Sequence, residues 1–119
     1  MSWTFELPIA MPSGNQTLRQ HWSFRSEFKQ RLAWLLVSAL NGQPKIPSAT
    51  GKRRLTIVRH GKGRLDQDNL AAGCKALIDV IKERKLILDD NPDDCQLEFR
   101  QIVIRGVPPK TVVYLEDLV

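Results

Sequence analysis

The sequence predicts an α/β fold of the two-layer α+β kind, a small mixed β-sheet with two main helices packed on it. Three observations predict it. Four short runs alternate with a period near two or are rich in β-branched residues, and two longer runs repeat every three to four residues. Their order along the chain is β-α-β-α-β-β. At 119 residues the chain has the length of one such domain, 1–119, with one core and not two.

Trp3 to Ile9 reads as a strand, with Trp3, Phe5 and Leu7 on one face and Thr4 and Glu6 on the other. Pro8 and Pro12-Ser13-Gly14-Asn15 break it into a loop. From about Thr17 to Leu40, apolar Leu18, Trp22, Phe28, Leu32, Leu35, Leu36 and Ala39 mark one face of a helix. Asn41-Gly42 is its stop signal. His21 and Trp22 on this helix fit packing roles better than metal ligation or base stacking.

A loop over 43–52 carries Pro44 and Pro47 and has no periodic pattern. Arg53 to Arg59 then reads as a strand, followed by the basic loop Gly61-Lys62-Gly63-Arg64. A second helix is expected from Asp68 to Arg84, with Leu70, Cys74, Leu77, Ile78 and Ile81 on its apolar face. Gly73 inside it is locally unfavourable and marks a kink or a close approach. Asp89 to Asp94, around Pro92, is loop. Gln96 to Arg105 and Lys110 to Glu116 read as strands joined through Gly106-Val107-Pro108-Pro109, a hairpin expected to supply the antiparallel part of the sheet.

A net charge of +5 and a pI near 9.6 favour a polyanionic partner, nucleic acid or an acidic membrane surface. Cys74 and Cys95 form no metal-type spacing and no disulfide framework, which points to a reducing, cytoplasmic setting. The opening residues lack a basic segment followed by an apolar one, and the apolar patch around Leu32 to Leu40 is too short to span a bilayer. A soluble protein with no membrane partner is expected.

Chemistry concentrates where the basic loop meets the second helix. Asp66-Gln67-Asp68-Asn69 sets two carboxylates two residues apart, on one side of an extended backbone. Hard divalent cations take such oxygen ligands. Read alone, a helix cap at Asp68 with Asp66 in the loop before it is the simpler account. A second acidic pair, Asp89-Asp90, follows the apolar run Leu86-Ile87-Leu88 beyond the far end of the helix. A helix of that length is roughly 25 Å long, so the chain must turn back for the two groups to meet. Otherwise Asp89-Asp90, with Asp93 and Asp94, is an acidic surface turn.

Lys52, Arg53, Arg54, Arg59, His60, Lys62 and Arg64 fall within thirteen residues. Such a cluster suits a phosphodiester backbone, which Lys and Arg neutralise without reading sequence. A solvated basic loop has the same composition. What favours the phosphate reading is the immediate step from Arg64 to Asp66, cations beside metal-binding carboxylates. Lys75 shares a helix face with Asp68, Asp79 and Lys82. It can stabilise a phosphorane or, by the simpler account, pair with Asp79 four residues on.

These residues resemble a known family. Arg64-Leu65-Asp66-Gln67-Asp68-Asn69-Leu70, Lys75-Ala76-Leu77-Ile78-Asp79 and Leu88-Asp89-Asp90, with the opening Leu7-Pro8 and Pro12-Ser13-Gly14-Asn15, are similar to the RusA family of Holliday junction resolvases. The resemblance covers nearly the whole chain. It implies a compact α/β homodimer, bacterial or prophage-encoded, that binds four-way DNA junctions and nicks them in pairs during recombination and repair, with Mg²⁺ as cofactor and Mn²⁺ as a substitute. It implies Asp66, Asp68 and Asp90 as metal-binding catalytic carboxylates, Lys75 as the catalytic lysine and Asn69 as a supporting polar residue. Arg53, Arg54, Arg59, Lys62, Arg64 and Asn69 form the expected DNA-binding set. One departure stands out: the lysine follows Asp68 by seven residues where the family pattern has four, with Ala71-Ala72-Gly73 resembling an insertion. Two rival readings keep the fold, a DNA-structure-binding protein without catalysis and a nuclease for other branched DNA.

Overall fold

The computed structural model describes residues 1–19, 22–41 and 45–118, and for 17–19 and 22 the backbone alone. The expectations for His21, for Gly42 and Pro44, and for the side chains of Leu18 and Trp22 lie outside the described residues. The elements run β1 (Ser2–Leu7), α1 (Gly14–Arg19), α2 (Trp22–Leu40), β2 (Arg53–Gly61), α3 (Gln67–Gly73), α4 (Lys75–Glu83), β3 (Cys95–Val103) and β4 (Lys110–Asp117). They form an α+β fold in which helices pack on a four-stranded mixed sheet of order β1-β4-β2-β3.

Side-chain alternation decides which sheet face is covered. Phe5, Leu7, Leu55, Ile57, Val113 and Leu115 project to one face and join a single core. Leu32 and Leu36 of α2 and Leu77, Ile78, Val80 and Ile81 of α4 close that core from above. At roughly 1.5–3 kcal/mol for each fully buried large apolar side chain, this layer is the main source of stability. Val58 and Val112 are also buried but lie outside this cluster, on the reverse face. Among the described residues no helix is long and apolar enough to cross a membrane.

The expected C-terminal hairpin is not formed. β3 pairs in parallel with β2, whereas β4 pairs antiparallel with both β2 and β1. The two last strands therefore flank β2 on opposite sides. Segment 104–109 steps across the end of β2, where Ile104 N donates to Gly61 O at 2.9 Å and Lys110 pairs with His60. That step spans two strand spacings, about 10 Å, well within the reach of six residues. The physical reason lies in the side chains. Thr111, Val112, Val113 and Leu115 are buried from both faces, as an interior strand requires, while Gln96, Glu98 and Arg100 suit an edge.

The helix expected over 68–84 is two helices that meet at Cys74, which adopts φ −89°, ψ −3°. Gly73 is the cause. A Cβ there would fall on the carbonyl oxygen of Pro12, so only glycine admits the N-terminal loop this close. On the other side of that loop, a Cβ on Gly14 would approach Ala72 Cβ to 2.5 Å. The run expected over 17–40 is helical on both sides of residues 20–21, as α1 and α2, and those two residues lie outside the described set.

Candidate functional site

The loop after β2 delivers Asp66 in an extended conformation, φ −69°, ψ 163°, as the N-cap of α3. Its Oδ1 accepts from the Asn69 backbone N–H at 2.9 Å and its Oδ2 from Asn69 Nδ2 at 3.1 Å. The cap is thus Asp66, and Asp68 stands in the first turn with its side chain exposed. Asn69 is engaged twice, because its Oδ1 also accepts from Asn15 N at 3.1 Å and ties α1 to α3. Leu65 is held from β3: Gln101 Nε2 donates to Leu65 O at 2.6 Å, and Leu65 N donates to Gln101 Oε1 at 2.9 Å.

The second acidic group does turn back along the helix, as far as Lys75. Leu86 and Ile87 sink into the core after α4 and carry Asp89-Asp90 beside the first residue of that helix. Lys75 Nζ lies 3.0 Å from Asp90 Oδ2 and 3.1 Å from Asp79 Oδ1. The Asp79 pairing open to the sequence is therefore present, together with a pairing to Asp90 that the sequence did not specify. Lys82 Nζ lies 3.6 Å from Asp89 Oδ1 and 3.9 Å from Asp90 Oδ1, and Asp90 N donates to Asp89 Oδ1 at 2.7 Å. The Lys75 hydrogen bond, then that from Asp89, draws the Asp90 carboxyl down to about 2. Reciprocally, Asp90 and Asp79 raise the Lys75 ammonium above its usual value.

Among the described residues no group of three or more His, Cys, Asp or Glu side chains is arranged to hold a metal ion. The two acidic groups therefore do not merge into one three-carboxylate centre in this chain. The donor chemistry still fits a hard cation, since Mg²⁺ ordinarily takes one or two carboxylates and completes its shell with water and phosphate. Asp66 and Asp68 are exposed at one group, and Asp89 and Asp90 are half-buried at the other.

The expected DNA-binding set divides sharply. Arg53 is corrected: it is 2% exposed, its Nε donates to Asp117 Oδ1 at 2.8 Å, its Nη1 to Leu86 O at 2.8 Å, and its guanidinium lies 4.7 Å from the Trp3 ring centre. A buried cation so engaged offers nothing to a phosphate. Arg54 points to the helix-free sheet face, with Glu116 at 3.5 Å and Glu98 at 3.8 Å. Arg59 is half-buried and braces two loops, donating to Met11 O at 2.7 Å and Gly63 O at 2.9 Å. Lys62 and Arg64, just before Asp66, are the exposed cations of the set.

Two contributors escaped the sequence reading as site members. Gln101 occupies a core-facing position of β3, and a polar residue in that alternation was its only signal. Lys82 follows Lys75 by seven residues on the same helix face, a spacing visible in the sequence but without a partner there. No family model matches the chain, and no curated protein is significantly similar to it.

Proposed function

We propose that this protein is a Mg²⁺-dependent endonuclease for branched DNA, acting on four-way junctions as a homodimer. The observation that carries this reading is the 3.0 Å pair between Lys75 and Asp90, fifteen residues apart. The family resemblance assigns catalytic roles to both, and nothing in their spacing required them to meet. Lys62 and Arg64 neutralise the DNA backbone beside Asp66 and Asp68. Lys75, drawn to the acidic pair, offers positive charge or a proton to a leaving phosphate oxygen. Mg²⁺, with Mn²⁺ able to replace it, would be held by one or two of the carboxylates Asp66, Asp68 and Asp90, with water and phosphate completing its shell, and would supply Lewis acidity and an activated water. A two-fold dimer presents two sites to a substrate that needs two nicks.

A junction-binding protein without catalysis is the second reading, favoured by the lack of a three-carboxylate group among the described residues. One assay separates the two. With Mg²⁺ or Mn²⁺, the natural protein should nick a four-way junction in preference to a linear duplex of matched length. Asp68→Asn should lower cleavage by about 100-fold or more while junction binding persists. Cleavage at the natural rate by that variant, or none by the natural protein with either metal, defeats the endonuclease reading.

A further inference from the structure

Between the first turns of α2 and the α3–α4 elbow lies an open cleft of about 680 Å³, a size usual for small-ligand sites. One wall is Ala71, Ala72, Gly73 and Ala76, where nothing projects beyond a Cβ. Phe28 of α2 lines it as well and is only half-buried. A surface with no side-chain relief beside an aromatic ring suits a flat, largely apolar group. The charges around the cleft narrow the choice. Lys29 is occupied by Glu83 at 2.6 Å, and Lys75 by Asp79 and Asp90. Arg25, exposed at the cleft, pairs with no carboxylate among the described residues. Its planar fork matches a phosphate.

We propose that this cleft receives one unstacked nucleotide, its base between Phe28 and the Ala71–Ala76 wall and its phosphate on Arg25. Lys75 belongs to both the cleft and the acidic group, so a nucleotide seated here has its backbone beside the residues assigned to chemistry. This rests on the nucleic-acid reading above and adds a subsite to it. Base stacking on an aromatic side chain tolerates every base, so the subsite would read the unstacked state more than the sequence.

Amide resonances report on the cleft directly. Titrating the ¹⁵N-labelled protein with deoxyadenosine 5′-monophosphate should shift the amides of Phe28, Ala71, Ala72, Gly73 and Ala76, whereas deoxyribose 5-phosphate should not. Ser26→Trp, which fills the cleft from an exposed position, and Arg25→Glu, which reverses the charge there, should each weaken the nucleotide at least 10-fold with the remaining spectrum unchanged. Silent cleft amides, equal shifts with the base-free phosphate, or undiminished affinity in both variants overturn the proposal. Junction cleavage by a protein whose cleft stays silent removes the subsite and leaves the endonuclease. Cleft shifts in a protein that never cleaves a junction support the subsite and remove the endonuclease.

Discussion

The two acidic groups flanking the α3–α4 segment contain the same residue type and do different work. At the α3 end, Asp66 spends both carboxylate oxygens on Asn69, three residues away, and through it fixes the start of α1. At the α4 end, Asp90 reaches a lysine fifteen residues back, and its charge is met by Lys75 and Lys82. The first group builds local structure. The second ties distant parts of the chain together with charge. A pair of aspartates in a sequence therefore announces a site only after its local capping work has been subtracted.

Gly73 sets how the two ends are placed relative to each other, so disturbing it is the harshest test of the comparison. In Gly73→Ala the new methyl meets the Pro12 backbone, which cannot swing aside as a side-chain tip can. Overpacking of this kind destabilises by about 1–3 kcal/mol, and a backbone clash belongs at the upper end. Urea unfolding should show the loss as a lower midpoint with an unchanged slope. A variant as stable as the natural protein would mean that the Pro12 loop does not rest on the elbow.

A smaller effect separates capping from charge at Asp66. Asp66→Ala removes the acceptor for Asn69 N and should lower stability by about 1 kcal/mol. Asp66→Asn keeps an acceptor of equal capping quality and should lose only a few tenths of that. If the proposed function holds, both variants lose cleavage, since neither retains a carboxylate. Equal stability loss in the two would show that the charge of Asp66, and not its cap geometry, supports α3.

How much of this was legible in the sequence depends on the range of the interaction. The β-branched run of residues 53–59 placed β2, and the apolar stripe of Leu77, Ile78 and Ile81 identified the buried face of α4. Gly73 was flagged by its own poor helix propensity, and the Pro12 contact supplies the reason. Partner choice was not legible. Nothing local to 95–117 says that β4 inserts between β1 and β2, because pairing depends on which strand offers an apolar surface on both faces. Arg53 reads as one cation in a basic run, and only the fold reveals Asp117 and the Leu86 carbonyl around it. The Lys75–Asp90 pair needed the turn made by Leu86 and Ile87, which the sequence permitted but did not require.

That pair can be tested with little disturbance to the fold. Asp90 is lowered from an ordinary 3.8 to about 2, first by the Lys75 hydrogen bond and next by that of Asp89, with the Lys75 and Lys82 charges adding to it. A depressed carboxyl contributes stability that is complete above its ordinary value and is lost as pH falls from about 4 towards 2. Lys75 is raised by the same contact, so its share is complete below its ordinary value of 10.5 and is lost only as pH climbs past it. Across neutral pH the contact is closed from both sides. Carboxyl ¹³C resonances should therefore give Asp90 a midpoint near 2. Lys75→Met should move it up towards 3.8 without fully restoring it, because Asp89 and Lys82 still act. Lys82→Met, removing only the weakest of the lowering influences, should move it less. An Asp90 midpoint at 3.8 in the natural protein would show that the long-range pair is open in solution. The contrast between a locally capped and a distantly paired acidic group would then disappear, and the proposed active site would lose its principal support.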